Sequence, residues 1–178
     1  MGLDMYLKKS KKVEGFTVND YEEIDDYLSE NVEEDDPIQQ LDLEKATGIN
    51  GANALKSEIK LRGEYIHWYS VLEDVGYWRK ANQIHAWFVD KVQDGVDECQ
   101  LSFVSKEQLE ELFEIVKTVK ENKEKAEQLL PTRSGFFFGH TEYDEWYERD
   151  IDETIRILTD VFQNTNFDEE VIFYRSSW

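Results

Sequence analysis

Two polar side chains stand on stripes that are otherwise apolar. Read as a helix at about 100° per residue, Tyr77–Val92 puts Trp78, Ala81, Ile84, His85, Phe88, Val89 and Val92 on one side. Asn82 lies at the edge of that stripe, and Arg79, Lys80, Gln83 and Trp87 face elsewhere. A second helix, read from Tyr143 to Phe162, places Asp150 among Tyr143, Trp146, Tyr147, Thr154, Leu158 and Val161. A carboxylate directed into a core is costly unless it is paired. Asp150 is therefore expected to bond a buried donor, either His85 or the hydroxyl or indole of a nearby ring. Such a pair would be a structural hydrogen bond that fixes two helices, or an acid–base couple in a cleft.

A second constellation runs from Ser134 to Thr141. Gly135 and Gly139 bracket Phe136, Phe137 and Phe138, and His140-Thr141 opens the next helix with Thr141 as its expected cap. Glycine allows close backbone approach or positive φ, and a helix start offers free N–H groups to an anion. The block could line a pocket for a nucleotide or another phosphate-bearing ligand. Arg79, Lys80 and Arg133 would supply charge, and Trp or Tyr rings would stack. The expected ligand-binding set is Trp78, Arg79, Asn82, His85, Ser134, Gly135, Gly139, His140, Thr141 and Asp150. The alternative is a buried strand over Ser134–Gly139 with glycines at its ends. The spacing matches neither a Walker loop nor a Rossmann fingerprint.

Charge sets the other candidate. The net charge is -20, and residues 13–44 hold 13 of the 40 acidic residues with no Lys or Arg. That composition disfavours a direct grip on nucleic-acid phosphates and on anionic membranes, and favours a basic partner. Glu33, Glu34, Asp35 and Asp36 are the expected contacts, with a solvated loop as the alternative. One cysteine, Cys99, excludes an internal disulfide and fits a reducing cytoplasm. His67, His85 and His140 are too dispersed to suggest a metal site, and no cofactor is expected. No apolar run reaches membrane-span length or follows a basic N-terminus as a secretory leader would.

These residues must be positioned by a chain of 178 residues, a length that fits one domain, 1–178. Strands are expected at Leu3–Leu7, Glu58–Tyr69, Leu101–Val104 and Glu170–Tyr174, with Lys8–Lys12 as a turn or exposed edge. A short acidic helix is expected over Asp20–Val32. Ser105-Lys-Glu-Gln108 matches a capping box, and Leu109, Leu112, Phe113, Val116 and Val119 repeat behind it at helical spacing. The expected class is α+β: a small, mainly antiparallel or mixed sheet packed with about three principal helices.

Several stretches carry a resemblance. Met1-Gly-Leu-Asp-Met-Tyr-Leu7, Gly76-Tyr-Trp-Arg-Lys-Ala-Asn-Gln-Ile-His85 with Trp87-Phe-Val89, Leu129-Leu-Pro-Thr132, the Gly-Phe-Phe-Phe-Gly block, Thr141-Glu-Tyr-Asp-Glu-Trp-Tyr147 and Ser176-Ser-Trp178 are similar to a family of small bacteriophage and prophage proteins. The likeness spans both ends and most of residues 76–178, but not Val13–Glu44. It implies a phage accessory protein acting inside a bacterial cell, and it supplies no catalytic residues. Three functions follow as expectations. The first is a non-enzymatic binder of a basic host or defence protein, through acidic mimicry of nucleic acid. The second is a protein that sequesters a nucleotide-like ligand. The third is an enzyme using His85 and Asp150.

Overall fold

The computed structural model describes residues 2–63, 67–135 and 138–178. In chain order the elements are β1 (Asp4–Lys11), α1 (Val18–Asn31), α2 (Leu43–Thr47), β2 (Lys60–Arg62), β3 (Trp68–Ser70) and β4 (Glu73–Arg79). They continue with α3 (Asn82–Val92), β5 (Ser102–Val104), α4 (Lys106–Glu121), α5 (Ala126–Leu129), α6 (Glu145–Asn164) and β6 (Glu170–Ser177). The class is α+β, as expected, with a four-stranded antiparallel sheet in the order β4-β1-β6-β5 and a separate hairpin of β2 and β3. The described residues form two compact units: one of residues through Lys8, Asp74–Phe167 and Ile172–Trp178, the other of Lys9–Glu73 and Asp168–Val171.

The first unit is built on period-two burial. Leu3, Met5 and Leu7 are buried while Asp4 and Tyr6 are not, so β1 turns one face to the core. β5 pairs with β6 in the register Ser102↔Tyr174, Phe103↔Phe173 and Val104↔Ile172. α4 begins at the expected capping box, with the Ser105 side chain accepting from Gln108 N and the Gln108 side chain accepting from Ser105 N. Its Leu109, Leu112, Val116 and Val119 are buried and join Ile151, Leu158 and Val161 of α6 in one core. α3 differs from both. Every residue from Asn82 to Val89 is buried, including three polar ones, so the helix is enclosed on all sides.

Four expectations need correction here. Residues 77–81 are not helical. β4 runs to Arg79, with Trp78 buried between exposed Tyr77 and Arg79, and α3 starts only at Asn82. Lys80 sits between them at φ 60, a left-handed backbone that ends the strand and turns the chain. Gly76 explains why β4 lies so close to α6: a Cβ there would stand 2.6 Å from Ile157 Cγ2. Next, Asp144 caps α6 in place of Thr141, because its carboxylate accepts from Trp146 N (2.9 Å) and Tyr147 N (3.3 Å). Third, Ser134, Gly135 and Gly139 are exposed and belong to no strand, and Phe138 N donates to Gly135 O across a turn (3.2 Å). Phe136 and Phe137 lie outside the described residues. Finally, the basic run after Leu7 is strand as far as Lys11.

In the second unit, Thr17 and Asp20 form a capping box at the start of α1, and Tyr21, Ile24 and Leu28 are its buried face. Asp25 Oδ1 accepts from Ser70 Oγ (2.5 Å) and Val71 N (2.9 Å), which ties α1 to the end of β3. The stretch expected as one extended segment is a hairpin, with Lys60↔Ser70, Leu61↔Tyr69 and Arg62↔Trp68 paired and Gly63 at φ 90. Tyr65 is outside the described residues.

Candidate ligand-binding cleft

A cleft of about 600 Å³ opens in the first unit where the end of β4, the start of α3 and the first turns of α6 converge. Lys80 shapes it. Its N–H donates to Leu3 O (2.8 Å) and its carbonyl accepts from Asn82 N (2.9 Å), which holds the left-handed turn in place. The side chain then runs between two glycines. A Cβ on Gly139 would lie 3.5 Å from Lys80 Cβ, and one on Gly2 would lie 3.0 Å from Lys80 Cε. Gly139 is also at φ 87, where other residues are strained.

Asn82 ties the cleft to the 133–140 segment. Only 3% of Asn82 is exposed. Its Nδ2 donates to Phe138 O (3.2 Å) and His140 O (3.0 Å), and its Oδ1 accepts from Arg133 N (2.8 Å). Both amide hydrogens and the oxygen are thus committed to the backbone of the 133–140 segment. Asn82 positions the cleft rather than reading what enters it.

Asp150 stands in this cleft in an unusual state. Gln83, 2% exposed, donates from Nε2 to Asp150 Oδ2 (3.0 Å). Burial pushes the Asp150 carboxyl up to about 6, against the pull of the Gln83 donor and of His140 and Arg149 nearby. His140 Nε2 lies 3.1 Å from the Asp144 carboxylate. One helical turn before Asp150, Trp146 is 58% exposed, and the Arg149 guanidinium stands 4.8 Å from its ring centroid. Arg79 reaches Asp4 only at 4.0 Å. Among the described residues, neither Lys80 nor Arg149 has a carboxylate oxygen within 4.0 Å. Two cations therefore face this cleft without a carboxylate partner, in a chain where 40 acids outnumber 20 Lys and Arg.

Of the residues expected from sequence, Arg79, Asn82, Gly139, His140 and Asp150 line the cleft. Trp78 does not. It is buried, and its Nε1 donates to Thr154 Oγ1 (2.9 Å), which donates in turn to Asp150 O (2.6 Å). Ser134, Gly135 and Thr141 lie outside the lining; the Thr141 carbonyl accepts from Thr132 Oγ1 (3.0 Å). Sequence reasoning passed over Gln83, Trp146, Tyr147 and Arg149. The usable signal for Trp146 and Tyr147 was their place on the same stripe as Asp150.

His85 and Asp150 are not bonded to each other, so the expected pair is corrected. His85 is 1% exposed, with Nε2 2.9 Å from Asp97 Oδ2 and Nδ1 2.7 Å from Tyr174 Oη. An ionised carboxylate only accepts, so Nε2 carries the proton and Nδ1 accepts from the Tyr174 hydroxyl. Asp97 also receives Trp178 Nε1 (2.9 Å) and Ser176 Oγ (3.2 Å). Burial lowers the His85 pKa and raises that of Tyr174, which keeps both neutral. This chain of bonds fastens α3, β6 and the 94–101 loop together, and His85 is not among the residues lining the cleft.

In the second unit, Glu33, Glu34, Asp35 and Asp36 are exposed, and two of them serve local structure. Asp36 Oδ2 accepts from Glu33 N (2.8 Å), and Glu34 Oε2 lies 3.3 Å from His67 Nδ1. Elsewhere in the acidic stretch, Asp42 caps α2 and Glu44 accepts from Gly51 N (3.1 Å). Part of the local acidity is thus explained by caps and turns.

Among the described residues no group of three or more His, Cys, Asp or Glu is placed to hold a metal ion, and no helix is long and apolar enough to cross a membrane. Comparison with protein-family models, with curated proteins and with solved structures gives no match.

Proposed function

We propose that the cleft of the first unit binds a small organic anion carrying a flat ring, a nucleotide-like ligand, and that the protein acts by holding it. The observation that carries this reading is a pair of cations, Lys80 and Arg149, with no carboxylate partner among the described residues, on the same cleft as the exposed Trp146 over which Arg149 stands. A cation without a carboxylate partner is free to pair with the charged oxygens of an anionic ligand. An exposed indole one turn from a desolvated carboxyl offers a stacking surface beside a polar reader. The resemblance to phage proteins and the lone Cys99 support a reading in which this activity serves a phage inside a bacterial cytoplasm, where holding a nucleotide would deny it to the host.

Thermal denaturation with a panel of nucleoside mono-, di- and triphosphates tests the reading. A ligand specific for the folded cleft raises the melting temperature with its concentration. Lys80→Gln and Arg149→Gln, both at exposed positions, are expected to melt as the wild type does alone and to lose most of the ligand-induced rise. No rise with any nucleotide at millimolar concentration would overturn the proposal.

A further inference from the structure

The polar floor of the cleft points to one ring. We propose that the cleft selects guanine, a reading that rests on its being a nucleotide site. Asp150 is fixed by a single donor. Gln83 Nε2 occupies Oδ2, and among the described residues Oδ1 has no hydrogen-bond partner. Because Gln83 is itself buried, the carboxylate cannot swing away without losing that bond. A carboxylate held in this way is completed by a ligand edge that presents two adjacent N–H groups, one to each oxygen.

Among the nucleobases only guanine has that edge, with N1–H beside the N2 amino group. Adenine sets the N6 amino group beside the N1 acceptor, and cytosine sets the N4 amino group beside the N3 acceptor. Uracil flanks its one N–H with carbonyls. Each of these would turn a lone pair toward the Asp150 carboxylate, and a buried acceptor facing an acceptor is penalised on both sides. The surroundings fit the rest of the molecule. Trp146 lies one helical turn from Asp150 on the same face of α6 and supplies a plane for the ring. Lys80, Arg79 and Arg149 supply positive charge to the phosphate.

Isothermal titration of the protein with GMP, IMP and AMP tests this. IMP keeps N1–H and lacks the 2-amino group. GMP is expected to bind on the order of tenfold more tightly than IMP, and AMP more weakly still. Asp150→Asn is nearly isosteric and can still accept from Gln83. It is expected to bring GMP to within about twofold of AMP while phosphate-dependent affinity persists. Equal binding of GMP and AMP by the wild type, tighter binding of AMP, or an unchanged GMP preference in Asp150→Asn would overturn the guanine assignment and leave the nucleotide cleft standing. Binding of none of the three would overturn both.

Discussion

Asp150 is held at a cost. A free aspartate titrates at 3.8, and burial raises this one to about 6. As pH rises from about 4 to about 6, the unfolded chain gives up this proton before the folded chain does. The folded state then binds more protons, and stability falls across that window. The gap corresponds to about 3 kcal/mol, all of it present as a penalty at neutral pH. Asp150→Asn removes the penalty. In urea titrations it is expected to be more stable than the wild type at pH 8 by roughly 2–3 kcal/mol, with the difference vanishing near pH 4. His85 has the opposite dependence. Its lowered pKa withdraws stability as pH falls below 6.5, but it is common to both proteins and cancels in the comparison. A variant less stable than the wild type at pH 8 would show that Asp150 is held for structure. The expected gain marks a side chain kept for binding at the expense of stability.

At the scale of elements, what sequence revealed was local. The Ser105–Gln108 capping box and the stripe Leu109, Leu112, Val116 and Val119 depend on residues three and four apart, and α4 is built as they indicate. The β4–α3 junction depends on distant partners. Lys80 adopts its left-handed turn against Leu3 O and beside Gly139, and neither neighbour is visible in the spacing of 77–92. Trp78, Ala81 and His85 fall at helical intervals by coincidence across a strand, a turn and a helix. Asp150 is legible as an anomaly on an apolar face, but its donor, Gln83, falls on another face of any one-sided helix drawn through this stretch. α3 is enclosed all round, so polar residues on every face had to find partners. Asn82 is the clearest case. Asn82→Ala frees Arg133 N, Phe138 O and His140 O at once and is expected to cost about 2–3 kcal/mol in urea unfolding. The Arg133 amide should exchange hydrogen much faster, and nucleotide affinity should fall although the side chain meets no ligand. Unchanged exchange at Arg133 would mean the 133–140 segment is held by something else.

For the whole molecule, the question is why an anion would approach a chain of net charge -20. Long-range repulsion is screened within about 8 Å at physiological salt, so the immediate surroundings decide. Thirteen of the acids lie in residues 13–44, all of that stretch in the second unit's sequence, while Arg79, Lys80 and Arg149 line one cleft of the first beside Glu142, Asp150 and Glu153, the last paired with Arg156. Net charge, read as a single number, does not show that three cations meet at this one cleft. The most direct measurement is a nitrogen-15 NMR titration that follows the five tryptophan indole N–H signals as GMP is added. Occupancy of the cleft predicts a saturable shift at Trp146, with Trp68, Trp87 and Trp178 unmoved. A Trp146 signal that stays fixed while GMP binds elsewhere, or fails to bind, would contradict the account.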